Sequence, residues 1–284
     1  MQPAHSVRAG ATLWEIAVPS RPLAGVSMAG FRDRSHGAVD LQVIPYPAIT
    51  IVIDLGDGLV VEGDNGASVR GSMAAGLAPA GVRGRGSDVE CLQIRLSPLL
   101  SHSVLGISPE LGGSVVALED LWGSDAERTE EQLRAASSWD ERFAIAEVAL
   151  RRRQERRLRV DPEIAFAWGR MVTDKGGVRV EDLATQVGWS RKRLWSRFGS
   201  QLGVSPKRAA RLIRFDHAAH RLAAGQSAAQ VAADGGYGDQ SHLHRDVMTF
   251  AGVTPKAVAA APWLAVDDVA WPVSRRTSVM RSGS

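Results

Sequence analysis

The sequence predicts an α+β chain. A β-rich N-terminal region of barrel or sandwich type, with helices at its end, precedes an all-α region of two helix-turn-helix units joined by a connecting helix. Three observations carry this. Short β-branched runs separated by Gly, Pro and Asp occupy the stretch from about Arg8 to Leu96. Apolar spacing then changes to a helical period. Finally, LATQVGWSRKRLWSRFGSQLGVSPK, ending at Lys207, recurs in degenerate form as VAADGGYGDQSHLHRDVMTFAGVTPK, ending at Lys256. Leu183, Ala184 and Gly188 return 48 residues later as Val231, Ala232 and Gly236, whereas Leu194 and Gly203 to Lys207 return 49 residues later. The second copy therefore has one extra residue in its turn.

In the first region Ala48–Leu55, AITIVIDL, is β-branched and apolar on almost every residue, which makes it the best candidate for a buried core strand. Asp57-Gly58 before LVVE (Leu59–Glu62) reads as a hairpin turn. Val69–Met73 and Val89–Leu96 read as further strands, with glycine-rich Gly81–Gly86 as a loop between them. Helices follow at Leu118–Trp122, Asp125–Ala135 and Trp139–Arg157. The arginines at the end of the last one, Arg151 to Arg153, Arg156 and Arg157, complement a helix C-terminus or form a basic patch. Leu158–Val160 reads as a linker, so the expected domains are 1–158, 161–260 and a flexible tail over 261–284. Asp161-Pro162 reads as an N-cap and first turn.

Within the first unit Leu183 and Ala184 form the buried side of a positioning helix, and Gly188 makes the turn. Ser190 is placed to cap the next helix, whose core stripe is Leu194, Phe198 and Leu202. Arg191, Lys192, Arg193, Trp195, Ser196 and Arg197 then fall on or beside its outward face. In the second unit Val231, Leu243 and Val247 repeat the core positions and Asp239 the cap, and Gln240, Ser241, His244 and Arg245 face outward. An α-helix fits the DNA major groove, where Gln suits adenine and Arg suits guanine; flanking arginines suit phosphates. Trp195 has two readings, packing on a neighbouring helix or apolar contact with DNA. Asp246 has three: a place near phosphate, a pair with Arg245, or an acceptor for a cytosine amine. The connecting helix from Pro206 to Ala224 would span about 28 Å, close to the ~34 Å of one DNA turn. Arg208 and Arg211 on it are candidate phosphate contacts.

Charge agrees with this reading. The chain has 34 basic and 31 acidic residues, yet Gly188 to Phe215 holds eight basic residues and no acidic one. Such a local field suits a polyanion. One cysteine, Cys91, excludes an intrachain disulfide framework and fits a reducing cytosol; its place in the alternating run VECLQIRL marks it as packed rather than reactive. No apolar run is long enough for a membrane span, so a cytoplasmic location is expected. The histidines have no metal-ligand spacing, and neither cofactor nor metal is expected.

From about Ile164 to Val258 the chain closely resembles the C-terminal DNA-binding domain of AraC-type (AraC/XylS) bacterial transcriptional regulators. The most specific stretch is GYGDQSHLHRDVMTFAGVTP, Gly236–Pro255; the first unit is a second, independent match. The resemblance implies base contacts from Arg191, Lys192, Trp195 and Ser196, and from Gln240, Ser241, His244 and Arg245. Departures from the family pattern are Ser196 where arginine is common, Leu243 and Val247 where aromatics stand, and an acidic Asp246. The stretch Leu96–Gly123 resembles sensor regions of actinobacterial AraC-type proteins, which implies a cupin-like N-terminal domain. Its segments Leu99–Leu105 and Leu111–Leu121 would serve ligand closure or dimerisation.

The expected function is a sequence-specific DNA-binding transcriptional regulator, with duplex DNA as partner. RNA polymerase, a small-molecule effector and a second copy of the chain are its further candidate partners. An apolar pocket is expected among the strands of Ala48–Leu96, with Arg95 or Glu90 orienting a polar ligand. Two alternatives come from other classes. One is an enzyme fused to a DNA-binding module; the other is a protein-binding regulator, in which Arg197 and Arg245 would be tied into salt bridges.

Overall fold

A computed structural model describes residues 5–21, 23–56, 58–63, 68–77, 82–105, 112–154 and 160–271. Asp57, Gly81, Leu111, Arg156 to Leu158 and residues 272–284, on which some sequence expectations fall, lie outside them.

The strands are β1 (His5–Ala9), β2 (Thr12–Ala17), β3 (Val26–Asp33), β4 (Ala38–Gln42), β5 (Ile49–Asp54), β6 (Val60–Glu62), β7 (Ser68–Arg70), β8 (Met73–Ala75), β9 (Arg83–Ser87), β10 (Glu90–Leu96) and β11 (Val115–Ala117). They form a seven-stranded antiparallel sheet in the order β1-β2-β3-β10-β5-β8-β11 and a four-stranded one in the order β4-β9-β6-β7.

Period-two alternation gives the large sheet two different buried faces. Ile49, Ile51 and Ile53 of β5 join Leu92, Ile94 and Leu96 of β10 in a core shared with the helices that follow. Thr50 and Val52, with Cys91, Gln93 and Arg95, face the small sheet across a cavity. The pairing Ile94 with Ile51 and Gln93 with Val52 keeps the two sets apart. A strand covered on both sides has no polar face, which is why AITIVIDL is apolar almost throughout.

The helical layer consists of α1 (Pro98–Leu105), α2 (Leu118–Trp122), α3 (Ser124–Ala135) and α4 (Trp139–Gln154). Here α4 lies so close to β3 that a Cβ on Gly30 would sit 2.3 Å from the Trp139 ring. Trp139 stacks on Phe143, and the Arg142 guanidinium lies 4.7 Å from its ring centroid. Glu90 accepts from Arg32 at 2.6 Å and from Arg142. Burial alone would raise the Glu90 carboxyl, but the hydrogen bonds from the two arginines outweigh it and hold the group below its ordinary value. Glu90 therefore does not serve the cavity. Arg153 is buried too, bonded to the Trp122 carbonyl at 3.0 Å and Asp125 at 3.2 Å, so this arginine is structural.

Several local expectations need correction. The strands flanking Asp57-Gly58, β5 and β6, belong to different sheets, so they do not form the expected hairpin. Val69–Met73 is likewise divided between β7 and β8 of the two sheets. Gly81–Gly86 is not a loop over its described part: β9 points Arg83 and Arg85 outward, paired with Asp40 and Glu62, and its glycines inward. The small inward residues leave room between the sheets.

The C-terminal region comprises α5 (Pro162–Thr173), α6 (Val180–Gln186), α7 (Arg191–Leu202), α8 (Pro206–Ala223), α9 (Ala228–Asp234), α10 (Gln240–Ala251), α11 (Pro255–Ala259) and α12 (Pro262–Ala270). The last of these falls in the expected flexible tail, whose described part, to Trp271, is thus helical and docked. Packed against β1 and β2, α12 brings Trp271 to 6.3 Å from Phe31 of the large sheet.

Candidate nucleic-acid interface

Each helix-turn-helix unit is built by the same local chemistry. Gly188 and Gly236 turn the chain at φ +67° and +71°, a conformation that L side chains rarely adopt. Ser190 then accepts from the Arg193 amide at 3.2 Å, and Asp239 from the His242 amide at 2.6 Å. These two side chains satisfy orphan amides at the start of α7 and α10, so they position the reading helices. Leu183, Ala184, Leu194, Phe198, Val231, Leu243 and Val247 are all buried. The connector between the units, α8, has 18 residues and spans about 27 Å. Its buried side includes Ala209, Leu212, Ile213, Ala218 and Leu222.

The opposite faces remain open. Arg191, Lys192, Arg193, Ser196 and Arg197 are exposed on α7, as are Gln240, Ser241, His244 and Arg245 on α10. Trp195 is 37% exposed, so it does not serve as a core residue. Not all the cations are equally free. Arg191 pairs with Glu181 at 3.3 Å, and Arg193 lies 4.4 Å over the Trp189 ring. Arg197 makes a two-pronged bond to Asp161, at 2.9 and 3.0 Å. Asp161 stands at the N-cap position of α5 but makes no capping bond there. Arg245 bonds only back to its own helix, Nε to the Ser241 carbonyl at 3.3 Å, among the hydrogen bonds of the described residues.

Asp246 follows none of the three readings open to it from sequence. It is buried at 1% exposure and accepts from Arg211 of the connector at 2.8 and 3.1 Å, with Arg214 at 3.6 Å. One Arg211 donor set is thus turned toward protein. Arg214 also lies 4.9 Å from the Tyr237 ring. Burial, with the nearby Asp246 charge, raises the Tyr237 hydroxyl well above the ordinary tyrosine value. Between the two reading helices runs a groove of about 630 Å³, bordered by Arg179, Arg191, Trp195, Lys207, Arg211 and Arg245. Groups held close together there come from both units and from the connector.

Residues 183–261 match the family model described as a helix-turn-helix domain. This region is a helix-turn-helix domain. No curated protein matches the chain. Among solved structures it is similar to ToxT from Vibrio cholerae O395, at 13% identity and TM-score 0.47, over 84% of this chain and 98% of that one. A second similar structure is unsaturated fatty acid bound wild-type ToxT from Vibrio cholerae strain SCE256, at 11% identity and TM-score 0.45, over 86% and 97% of the two chains.

The second candidate site is the cavity between the sheets, of about 200 Å³. Trp14, Phe31, Val39, Val52, Met73 and Val82 supply apolar wall; Thr50 and Gln93 add neutral polar groups. Arg95 is the residue that the two-residue alternation of β10 brings into this lining. Sequence reasoning found Arg95 but missed the rest of its setting. Val266, Asp267 and Trp271 also line the cavity, and nothing local in the sequence connects them with a strand about 170 residues earlier. Cys91 lies on the same wall, where burial, with the Asp54 charge, pushes its thiol up to about 12. Such a thiol does not form the nucleophilic thiolate at neutral pH. Among the described residues no cluster of three or more His, Cys, Asp or Glu is placed to hold a metal ion, and no helix is long and apolar enough to cross a membrane.

Proposed function

We propose that this chain is a transcriptional regulator that reads duplex DNA in a sequence-specific way through both reading helices, and that a small molecule held between its sheets modulates the reading. The observation that carries the first part is what the two units share. In each, the apolar stripe of the reading helix is buried while donors and acceptors remain exposed beside a basic groove. Base contacts fall to Lys192, Trp195 and Ser196 on α7, with Arg191 once it leaves Glu181. On α10 they fall to Gln240, Ser241, His244 and Arg245. Phosphate contacts fall to the arginines and Lys207 around the groove. The cavity supports the second part, since it joins an apolar lining to a single guanidinium. A cytosolic setting, RNA polymerase as a partner and pairing with a second copy belong to the same proposal.

Selection from a random duplex library with the full chain tests the reading. Two enriched half-sites about one helical turn apart are expected. Affinity should fall steeply with salt as counterions are released from the contacted phosphates. Recovery of no motif would overturn sequence-specific recognition. The protein-binding alternative gains support from the engaged Arg197, but not from Arg245, which among the described residues bonds within its own helix.

A further inference from the structure

The cavity has two charged residues in its lining, Arg95 and Asp267, and they face each other across the junction between the N-terminal strands and the last helix. Arg95 Nη2 donates to Asp267 Oδ1 at 2.7 Å. The guanidinium is held between the Tyr46 and Trp271 rings, 4.2 Å from each centroid, so its plane is fixed. Its Nε and Nη1 are buried without a hydrogen-bond partner. Each two-pronged edge of the guanidinium joins Nη2, held by Asp267, to one of these unused donors. The fixed group at the edge of an apolar chamber is thus a receptor for a planar, singly charged anion that takes Nη2 with one of them. A dianion such as a phosphate monoester would bring a second charge for which the lining has no cation.

We propose that the cavity takes a small monocarboxylate with an apolar body, and that its carboxylate displaces Asp267 from Arg95. This rests on the ligand-modulated reading above. Size sets the body: a dry apolar cavity of roughly 150 Å³ holds benzene, so about 200 Å³ suits one ring or a short chain. Displacement follows from charge, because two carboxylates at one buried guanidinium repel each other. Asp267 has somewhere to turn, since its Oδ2 already lies 3.1 Å from His220 Nε2 on the connector. Release of Asp267 loosens α12 and Trp271 from the sheet. These residues follow directly on the second reading unit, so occupancy of the cavity reaches the DNA-binding half through the chain itself. The ligand shifts the equilibrium because it binds the undocked state better than the docked one.

The test uses the full chain with benzoate, phenylacetate and hexanoate, each beside its neutral amide. Calorimetry should show at least one acid binding roughly tenfold or more tighter than its amide. Asp267→Asn, which removes the competitor and leaves the shape, should tighten that acid by roughly tenfold and leave the amide unchanged. Hydrogen exchange on the unmutated protein gives a readout independent of any variant: the acid should speed exchange over residues 262–271. Equal binding of acid and amide, no tightening in Asp267→Asn, or unchanged exchange with acid bound would each overturn this inference, while leaving a ligand-modulated regulator standing. Failure of every acid and every amide to bind would overturn both.

Discussion

The two reading helices carry opposite charges at one equivalent position. Arg197 of α7 and Asp246 of α10 stand 49 residues apart, the spacing that relates the core positions Leu194 and Leu243. Both make ion pairs to a neighbouring helix, but in different surroundings. Arg197 is half exposed and reaches outward to Asp161 at the start of α5. Asp246 is buried and reaches inward to Arg211 and Arg214 of the connector. The repeat thus preserves a link between reading helix and neighbour while changing its sign, direction and depth. The first unit is held mainly by apolar contact, with Leu194, Phe198 and Leu202 beneath it. The second has Leu243, Val247 and Phe250, plus a desolvated carboxylate that must keep its partners. An acid within a basic surface, for which a place near phosphate is one of the sequence readings, is placed where it fastens the second unit instead.

The largest expected effect of breaking this comparison is at Asp246. Its replacement by Ala leaves Arg211 and Arg214 without their shared anion and should cost about 3–5 kcal/mol in stability. Denaturant unfolding followed by hydrogen exchange should place the loss in α9 to α11, with the first unit retained. A loss below ~1 kcal/mol, the range of exposed pairs, would mean that the carboxylate does not anchor the unit.

A medium effect separates base reading from anchoring. Gln240→Ala and Arg245→Ala should each cost about 1–3 kcal/mol on the preferred DNA and relax preference at particular base pairs, with little change in stability. Equal losses on preferred and random DNA would reassign the residue to the phosphate backbone. The same measurement on Lys192→Ala and Trp195→Ala would show whether the first unit shares the reading equally.

How much of this was legible in sequence depended on how local the deciding physics was. Caps, turns and core stripes of the two units are set within a few residues, so Ser190, Gly188, Leu194 and their counterparts could be placed from spacing alone. The residues Arg83 to Gly86 show the opposite case. Glycine usually marks a loop, yet here it alternates with paired arginines in a strand, because the cavity side needs small residues. Asp246 was ambiguous because its partners lie on another helix, and the docking of α12 was invisible because it depends on contacts between chain ends. Asp161 shows a milder limit: its position as N-cap was legible, whereas its preference for Arg197 over a capping bond was not.

The smallest expected effect is at Arg197, and it sharpens the comparison from the other side. The Arg197–Asp161 pair has good two-pronged geometry, but solvent reaches both partners, at 50% and 26% side-chain exposure. High dielectric and side-chain entropy limit such a pair to about 0.2–1 kcal/mol. Arg197→Ala should therefore lower stability by no more than that, far below the change at Asp246. On DNA, the guanidinium must leave Asp161 before it can meet a phosphate, so the loss of affinity should be small and similar for all sequences. Asp161→Asn supplies the complementary measurement: it frees Arg197 and should raise affinity for preferred and random duplex alike at low salt, with the gain fading as salt screens it. A large, sequence-selective loss in Arg197→Ala would show instead that the arginine abandons Asp161 to read a base, and that the two equivalent positions divide anchoring and reading between them.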